Sequence, residues 1–319
     1  QGSLNLSLDA APQQVTARFV SRVVTVDDFL APDDATGTTP QAEERSLKDI
    51  LASSLPVWTM PDLALDLRID ANEIHWSDNV LENVGTRITI AGDTLHIDDL
   101  QADVFGGSVA GTITLQPRDA QTRLTTQVVI NHIDSDKLLR EAGIAEAASG
   151  EVALNLDINT QGATPGEMLS DLYGHVALRR GDGWVKSGAV AVLTKNILSA
   201  LLSSLFNPAE ETTIRCIVVN VDFEHGIGTL QQSAVALDNV VIVTDGSFDL
   251  GKQTIDVQLD PKAVDRSFLR LLTPVYIVGD LLDPKVSPHS GEVLAGLGAA
   301  LFGAGPIYDG DLDVLCAGL

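Results

Sequence analysis

The sequence predicts a mainly β fold, an antiparallel sheet with a few short helices. In many segments, apolar and polar residues alternate with a period of two, as they do in a strand with one buried face. Short turns such as Ala91-Gly92-Asp93 separate most of these segments, which is the spacing of consecutive hairpins. Hydrophobic residues make up 45% of the chain and aromatic residues only 4%, so the interior is built from aliphatic side chains.

Two segments, residues 62–70 and 151–158, show the alternation most clearly. The aliphatic side chains on one face of these two strands are Leu63, Leu65, Leu67, Ile69, Val152, Leu154, Leu156 and Ile158. Further strands are predicted at residues 87–90, 94–97, 108–115, 122–130, 175–180, 217–223, 233–243, 247–250, 254–259 and 275–278.

Helices are predicted at three places. Ser135 is a good N-cap for residues 135–140, and Thr164-Pro165 places proline at the first helical position. The longest helix covers residues 188–206 and carries a broad apolar face. Such a helix either packs on a sheet or closes the open end of a cavity. Residues 31–48 are polar and without periodicity, which predicts a mobile acidic loop.

The formal charge of the chain is −24, from 44 acidic and 20 basic residues. A chain of this charge repels phosphates, which excludes nucleic acid as a partner and disfavours lying flat on an anionic membrane surface. No apolar run reaches the roughly 18 to 20 residues that a membrane-spanning helix needs, and the chain begins without a signal-peptide pattern. We expect a soluble fragment of a larger protein.

Cys216 and Cys316 are the only cysteines of the sequence. Two distant cysteines do not supply the four ligands of a structural zinc site. They are either buried free thiols or a disulfide that closes a loop of about 100 residues. The second alternative implies an oxidising compartment.

The residue pattern gives no support to catalysis. The six histidines are scattered, and the sequence contains neither a His-Glu-x-x-His pair nor a Gly-x-Ser-x-Gly turn. Residues 309–313 are rich in aspartate but lack the spacing and the closing glutamate of an EF-hand, which favours a solvated turn. We expect a protein that is not an enzyme and that binds no metal and no cofactor.

A series of segments resembles the AsmA family in motif and in order. The segments are residues 98–113, 131–139, 148–154, 169–176 and 273–288. The first is similar to the family's strand, Phe-Gly-Gly turn and strand, in which Gly106-Gly107 permits the tight reversal and Phe105 covers it. The next two resemble its short helix and the Ser-Gly strand that follows, here with Ser149-Gly150. The last resembles the Pro-Val-x-Val-x-Gly-x-x-x-Asp-Pro-x-Val-x-Pro signature near the family's C-terminus.

The resemblance covers roughly residues 60–319 and implies more about the fold. It implies a strongly curved and twisted sheet that forms an open apolar trough, with helices packed on it or capping it. By the same resemblance, we expect residues 1–60 to be part of a preceding β region that includes the loop 31–48, and residues 61–319 to form the AsmA-like C-terminal β-rich domain. The resemblance also implies that Cys216 and Cys316 form a disulfide.

The resemblance further implies a periplasmic protein that is anchored in the inner membrane and that moves phospholipid or another hydrophobic lipid towards the outer membrane. Contact with either membrane, through the absent anchor, and with other envelope proteins follows from the same likeness. The residue pattern is consistent with this expectation, because the helices are too few to cover every aliphatic strand face and large bare apolar patches are rare on soluble proteins. We expect acyl chains to contact the eight aliphatic residues named above.

Two other functions are compatible with the sequence. A binding protein for one hydrophobic ligand, such as a sterol or a hopanoid, requires a closed pocket and a defined stoichiometry. A structural or assembly factor in outer-membrane biogenesis requires exposed strand edges that pair with partner strands.

Overall fold

The computed structural model describes residues 2–7, 12–25, 47–55, 63–76, 79–118, 120–141, 148–186, 211–264, 274–288 and 308–317. The chain separates into two compact units. Unit 1 consists of Gln1–Ile130 and Leu156–Tyr173, and unit 2 consists of Asn131–Asn155 and Gly174–Leu319. Among the described residues, no helix is both long enough and apolar enough to span a membrane.

Strands dominate the described residues, as the alternation predicts. They are β1 (Gly2–Ser7), β2 (Gln13–Thr25), β3 (Leu63–Trp76), β4 (Asn79–Ala91), β5 (Thr94–Val104), β6 (Gly107–Arg118), β7 (Gln121–Asp134), β8 (Ala148–Ser149), β9 (Glu151–Gly162), β10 (Tyr173–Arg180), β11 (Gly183–Lys186), β12 (Glu211–Glu224), β13 (Ile227–Leu230), β14 (Ser233–Leu237), β15 (Val240–Asp249), β16 (Thr254–Ala263), β17 (Val275–Asp280) and β18 (Pro284–Pro288). Short helices accompany them, namely α1 (Leu47–Ala52), α2 (Ser135–Glu141), α3 (Pro165–Ser170) and α4 (Leu312–Cys316). The predicted class, mainly β with few helices and mostly antiparallel pairing, is confirmed.

Unit 1 is built mainly from antiparallel neighbours. β1 pairs with β2, and β3, β4, β5 and β6 pair in sequence order. β2 and β3 are parallel instead. A parallel pair requires a connection of about a dozen or more residues, and the chain between these two strands is long enough to supply it.

The helix predicted to start at Thr164 is confirmed as α3. Thr164 Oγ1 accepts a hydrogen bond from Glu167 N at 3.1 Å, and Glu167 Oε2 accepts one from Ala163 N at 2.7 Å. These side chains satisfy backbone amides that the first helical turn leaves without partners. α1 packs against α3, and Gly166 permits the contact because a Cβ there would lie only 2.9 Å from the carbonyl oxygen of Leu51.

The turn between β5 and β6 differs by one residue from the predicted turn. Phe105 and Gly106 make the reversal, with φ values of 51° and 81°, and Gly107 already pairs with Val104. The expectation that Gly106-Gly107 reverses the chain while Phe105 only covers the turn is therefore wrong. A two-residue hairpin loop of this kind needs positive φ at both central positions, so Phe105 itself adopts the left-handed conformation.

The strand predicted at residues 233–243 is two strands. Asp238 and Asn239 form a turn between β14 and β15, because both residue types readily adopt turn conformations. Aliphatic residues on each side of the turn made the segment resemble one strand. The strand predicted at residues 247–250 is in turn the end of β15 and not a separate element.

Several predictions fall wholly or partly outside the described residues. They concern the helix at residues 188–206, the region boundary at residue 60 and most of the loop at residues 31–48. The last two residues of that predicted loop, Leu47 and Lys48, begin α1.

Unit 2 is organised around β12. This strand pairs with β10 and β11 at one edge and with β13 and β14 at the other. From β14 to β18 the strands pair antiparallel in sequence order. β13 and β14 together fill one strand position between β12 and β15, because each of them pairs with both.

The disulfide that the resemblance implies is confirmed. Cys216 in β12 is bonded to Cys316 in α4, with their Cα atoms 5.6 Å apart. The bond holds α4 over a buried cluster, whose members are Cys216, Val218, Ala234, Ala236 and Val241. Tyr308, Leu312 and Leu315 pack against the same cluster. A helix this short is unstable alone, so the disulfide and these contacts keep it in place.

Candidate functional site

The eight aliphatic residues predicted as ligand contacts lie on β3 and β9, and all eight are half-buried. The four on β3 share one side of that strand, because side chains separated by two residues point to the same face. The described register places these four beside other aliphatic residues of unit 1. β9 pairs with β7 and not with β3.

Strand register extends the β3 residues into aliphatic rows that cross β1 to β6. Registered partners lie on the same side of a sheet. The first row is Leu6, Val15, Leu65, Ile90, Leu95 and Leu115. The second row is Leu4, Ala17, Leu67, Ile88, Ile97 and Ile113. We call these two rows, together with the registered pair Phe19 and Ile69, the aliphatic face.

The aliphatic face is least covered at β1 and β2. Leu4, Leu6 and Phe19 are 60%, 57% and 53% exposed, whereas the residues of the face on β3 to β6 are half-buried. Single exposed leucines are common on proteins, but a continuous apolar patch is typical of an interaction surface. The face is therefore not sealed by the protein's own side chains.

The sequence prediction missed the part of the face that lies on β1 and β2. The signal was present, since Leu4 and Leu6 alternate with polar residues and so do Val15 and Phe19. What the sequence did not reveal was the parallel pairing of β2 with β3, which joins these residues to the β3 row.

On the opposite side, the middle of these strands is polar and carries ion pairs. Arg87 Nε and Nη2 donate to the two carboxylate oxygens of Asp66 at 2.9 and 2.7 Å. The hydrogen bond from Arg87 lowers the pKa of Asp66. Asp70 lies 3.2 Å from Arg18 Nη2 and 3.5 Å from Arg68 Nε. These ion pairs make the middle of that side unsuitable for an apolar ligand, although Val24, Ile74 and Leu81 form a half-buried aliphatic row further along it.

The aliphatic face ends at acidic residues on the same side of the sheet. Two positions beyond Ala71 in β3, Glu73 stands directly opposite Glu82 of β4, and Glu82 is in turn registered with Asp103 of β5. His75 Nε2 lies 2.9 Å from Glu73 Oε2. An apolar ligand on the face would have to stop before this row, because burying these charges is unfavourable.

The aliphatic residues of β9 have a different environment. β9 pairs with β7, and on the polar side of this pair Gln127 Nε2 donates to Asp157 Oδ2 at 3.2 Å. On the aliphatic side, the Thr160 hydroxyl donates to the backbone oxygen of Met168 in α3. α3 therefore covers the continuation of this side next to Ile158. The β3 residues lead, through β2, to the exposed residues of β1.

The aspartate-rich residues 309–313 lead into α4. Asp311 caps that helix, since its Oδ1 accepts hydrogen bonds from Asp313 N at 2.8 Å and Val314 N at 3.4 Å. Within the part of the chain that the structure describes, no three His, Cys, Asp or Glu side chains are arranged to hold a metal ion.

Comparison with known proteins gives two matches. A family model described as "AsmA family" matches residues 33–233, which is more than half of the chain. The chain is also similar to the AsmA family protein YhjG of Escherichia coli (strain K12), with 20% identity over 239 residues. That alignment covers 75% of this chain and 34% of YhjG, so the chain spans about a third of the relative's length. No solved structure gives a significant match.

Proposed function

The chain belongs to the AsmA family, and from this premise we propose that its aliphatic face binds the acyl chains of phospholipids. Family membership indicates a function in the cell envelope. The proposed place of action is the periplasm, where the chain, as part of an inner-membrane-anchored protein, takes part in moving lipid between the inner and outer membranes. The proposed role involves no catalysed reaction.

One observation carries the proposal, namely the two aliphatic rows that cross six strands and remain exposed at β1. Strands lie about 4.8 Å apart, so six of them present roughly 24 Å of apolar width. The rows contain no polar side chain. They therefore supply apolar contact without any group that selects one ligand by hydrogen bonding.

The proposed mechanism is non-directional burial of hydrocarbon. Each methylene moved from water onto an apolar surface contributes about 0.8 kcal/mol, and neighbouring positions in an aliphatic row are nearly equivalent. A lipid can then move along the rows without breaking specific bonds. The Cys216–Cys316 disulfide supports a periplasmic location, because disulfides persist in oxidising compartments.

Mass spectrometry of an organic extract from natively purified protein tests the ligand class. We expect a mixture of phospholipids. A single species at fixed stoichiometry would favour the binding of one discrete ligand, and an extract without lipid would favour the assembly role.

Paired substitutions on β1 test the surface itself. Leu4→Asp combined with Leu6→Asp puts two charges on the exposed end of the aliphatic face, and we expect much less lipid to co-purify. Since both leucines are more than half exposed, the fold should be retained. Asn5→Asp is the matched control, because Asn5 lies between them and points to the opposite side.

Two further variants compare β3 and β9, the two strands whose aliphatic residues the sequence predicted as ligand contacts. Leu65→Asp lies within the aliphatic face, whereas Leu154→Asp lies on β9, beyond the strands β1 to β6 that form the face. We expect Leu65→Asp to remove more lipid than Leu154→Asp. Undiminished lipid in folded Leu65→Asp and in the β1 double variant would refute acyl binding at this face.

A further inference from the structure

The ionisable side chains of β2 to β4 are sorted by charge between the two sides of the sheet. Side chains separated by two residues share a side, and registered partners do as well. All the arginines of these three strands therefore lie on the side opposite the aliphatic face, namely Arg18, Arg22, Arg68 and Arg87. On the side of the aliphatic face, the ionisable residues of the same strands are Glu73, His75 and Glu82. A ligand on this face meets carboxylates there and no arginine or lysine.

The carboxylates form a row that runs parallel to the two aliphatic rows. Glu73 of β3 stands opposite Glu82 of β4, and Glu82 is registered with Asp103 of β5. We call these three residues the carboxylate row. Like charges directly opposite each other in a sheet are destabilising, so the row does not serve the stability of the sheet. Within the described part of the chain, no side chain forms a hydrogen bond or an ion pair with the exposed carboxylate of Glu82.

The length of the aliphatic face along β3 suits an acyl chain that ends at the carboxylate row. Leu65 and Ala71 are separated by roughly 20 Å, at a rise of about 3.3 Å per residue. The hydrocarbon of one membrane leaflet is about 15 Å thick, which is half of the bilayer core. An acyl chain that lies along β3 therefore fits between Leu65 and Ala71. Its headgroup would then lie near Glu73, which follows Ala71 on the same side of the strand.

We propose that the carboxylate row selects the headgroup, so that the aliphatic face takes lipids with an ammonium group and rejects lipids whose headgroup is anionic. This inference rests on the proposed binding of acyl chains to the face, because a row of carboxylates alone does not indicate a ligand. An ammonium group is attracted by the row, whereas a net negative headgroup is repelled. The arginines that could offset this repulsion lie on the other side of the sheet.

The direction of the row also fits the proposed movement of lipid. A lipid that moves along the aliphatic rows passes from strand to strand, and the carboxylate row crosses β3, β4 and β5 in the same direction. An ammonium headgroup therefore finds a carboxylate on each of these three strands. The formal charge of −24 on the whole chain acts in the same sense, because it repels anionic lipids.

Partition of labelled lipids between vesicles and the full chain tests the selection. The probes are phosphatidylethanolamine, phosphatidylglycerol and diacylglycerol with the same fluorescent acyl chain, each present as a trace in phosphatidylcholine vesicles. The titrations are run at pH 8, where histidine side chains are ordinarily neutral. We expect phosphatidylethanolamine to exceed phosphatidylglycerol on the protein by about fivefold, the effect of two unit charges about 4 Å apart in water. In 1 M salt, where the Debye length is about 3 Å, most of this preference should be lost.

Glu73→Gln combined with Glu82→Gln tests whether the row causes the preference. The double variant keeps the size of both side chains and leaves only Asp103 charged, so the preference should fall to about twofold or less. Glu224→Gln combined with Asp256→Asn is the matched control, because it changes the net charge by the same amount at two exposed positions of unit 2. This control should keep the preference of the wild type.

The outcomes separate this inference from the proposed function. Binding of diacylglycerol together with the expected preference, lost in the Glu73 and Glu82 double variant alone, upholds both. Equal binding of phosphatidylethanolamine and phosphatidylglycerol to the wild type overturns the selection and leaves acyl binding in place. A preference that the double variant retains, or that the control loses as well, overturns the role of the row. Failure of all three probes to bind, diacylglycerol included, refutes acyl binding itself and removes the selection with it.

Discussion

The two units present aliphatic strand faces that are covered to very different degrees. In unit 2, Val218 and Val241 are 5% and 0% exposed and lie in a cluster against which α4 packs. In unit 1, Leu4 and Leu6 are more than half exposed. The cover over unit 2 comes from a segment 100 residues further along the chain, fixed by the Cys216–Cys316 bond. Residue pattern thus decides which side chains share a face, and distant chain segments decide whether that face is closed.

The largest expected effect comes from breaking the disulfide. A bond that closes a loop of this length stabilises the fold by about 4 to 5 kcal/mol in the chain-entropy model. Cys316→Ser should lower the free energy of unfolding by about that amount in a denaturant titration. α4 should also exchange its amide protons rapidly, because a short helix has little stability alone.

The Cys316→Ser substitution should also uncover apolar surface in unit 2, so that it resembles the exposed face of unit 1. Once α4 is released, the cluster around Val241 becomes an uncovered aliphatic surface, and binding of a hydrophobic dye should increase. Reduction of the wild type should reproduce the effect and should not change the Cys316→Ser variant further. An unchanged unfolding midpoint after reduction would show that packing, and not the bond, holds the cover.

A smaller loss of stability is expected when one side chain of each face is shortened to alanine, and its size should differ between the two faces. Val241→Ala removes buried methyl groups and should cost about 2 kcal/mol in the free energy of unfolding. Leu6→Ala removes more carbon atoms from a side chain that is 57% exposed, and should cost less than about 0.5 kcal/mol. Equal losses in parallel denaturant titrations would mean that β1 is covered in solution.

The sequence predicted the aliphatic sides of β3 and β9 because a period of two is a local property of the chain. The sequence did not predict how far each of these two sides is covered by other segments of the chain. α3 covers the end of the β9 side near Thr160, and the parallel pairing with β2 brings Phe19 beside Ile69. The first contact depends on how α3 folds back over the strand that it follows, and the second joins segments far apart in sequence, so a period of two carries no information about either.

Two local features of the fold were also predicted wrongly from the sequence. Phe105 was not expected in the left-handed conformation, because bulky side chains seldom adopt it. The cap of α2 was misassigned for another reason. Ser135 was predicted as the N-cap, whereas Asp134 Oδ1 accepts the hydrogen bonds of the α2 amides. Aspartate and serine are both good N-caps and stand at adjacent positions, so the sequence did not distinguish between them.

The smallest expected effect lies on the polar side of unit 1, at the exposed pair of Asp66 and Arg87. The hydrogen bond from Arg87 makes the pKa of Asp66 lower in the folded protein than in the unfolded chain. The pair therefore adds stability above the unfolded-state pKa of about 3.9, and loses it as the pH falls through the folded-state pKa. Arg87→Gln should lower the thermal midpoint slightly at pH 7, and its difference from the wild type should shrink as the pH falls below about 4 and vanish only below the folded-state pKa of Asp66.

Lys285→Gln is the control for this comparison, because Lys285 is exposed and forms no ion pair within the described residues. It should leave the midpoint unchanged at both pH values. A difference between Arg87→Gln and the wild type that persists in acid would mean that the arginine acts through packing of its aliphatic stem on β3 and β4. The polar side would then contribute to stability by apolar contact as well, and the contrast between the two sides of the sheet would be weaker than the ion pairs suggest.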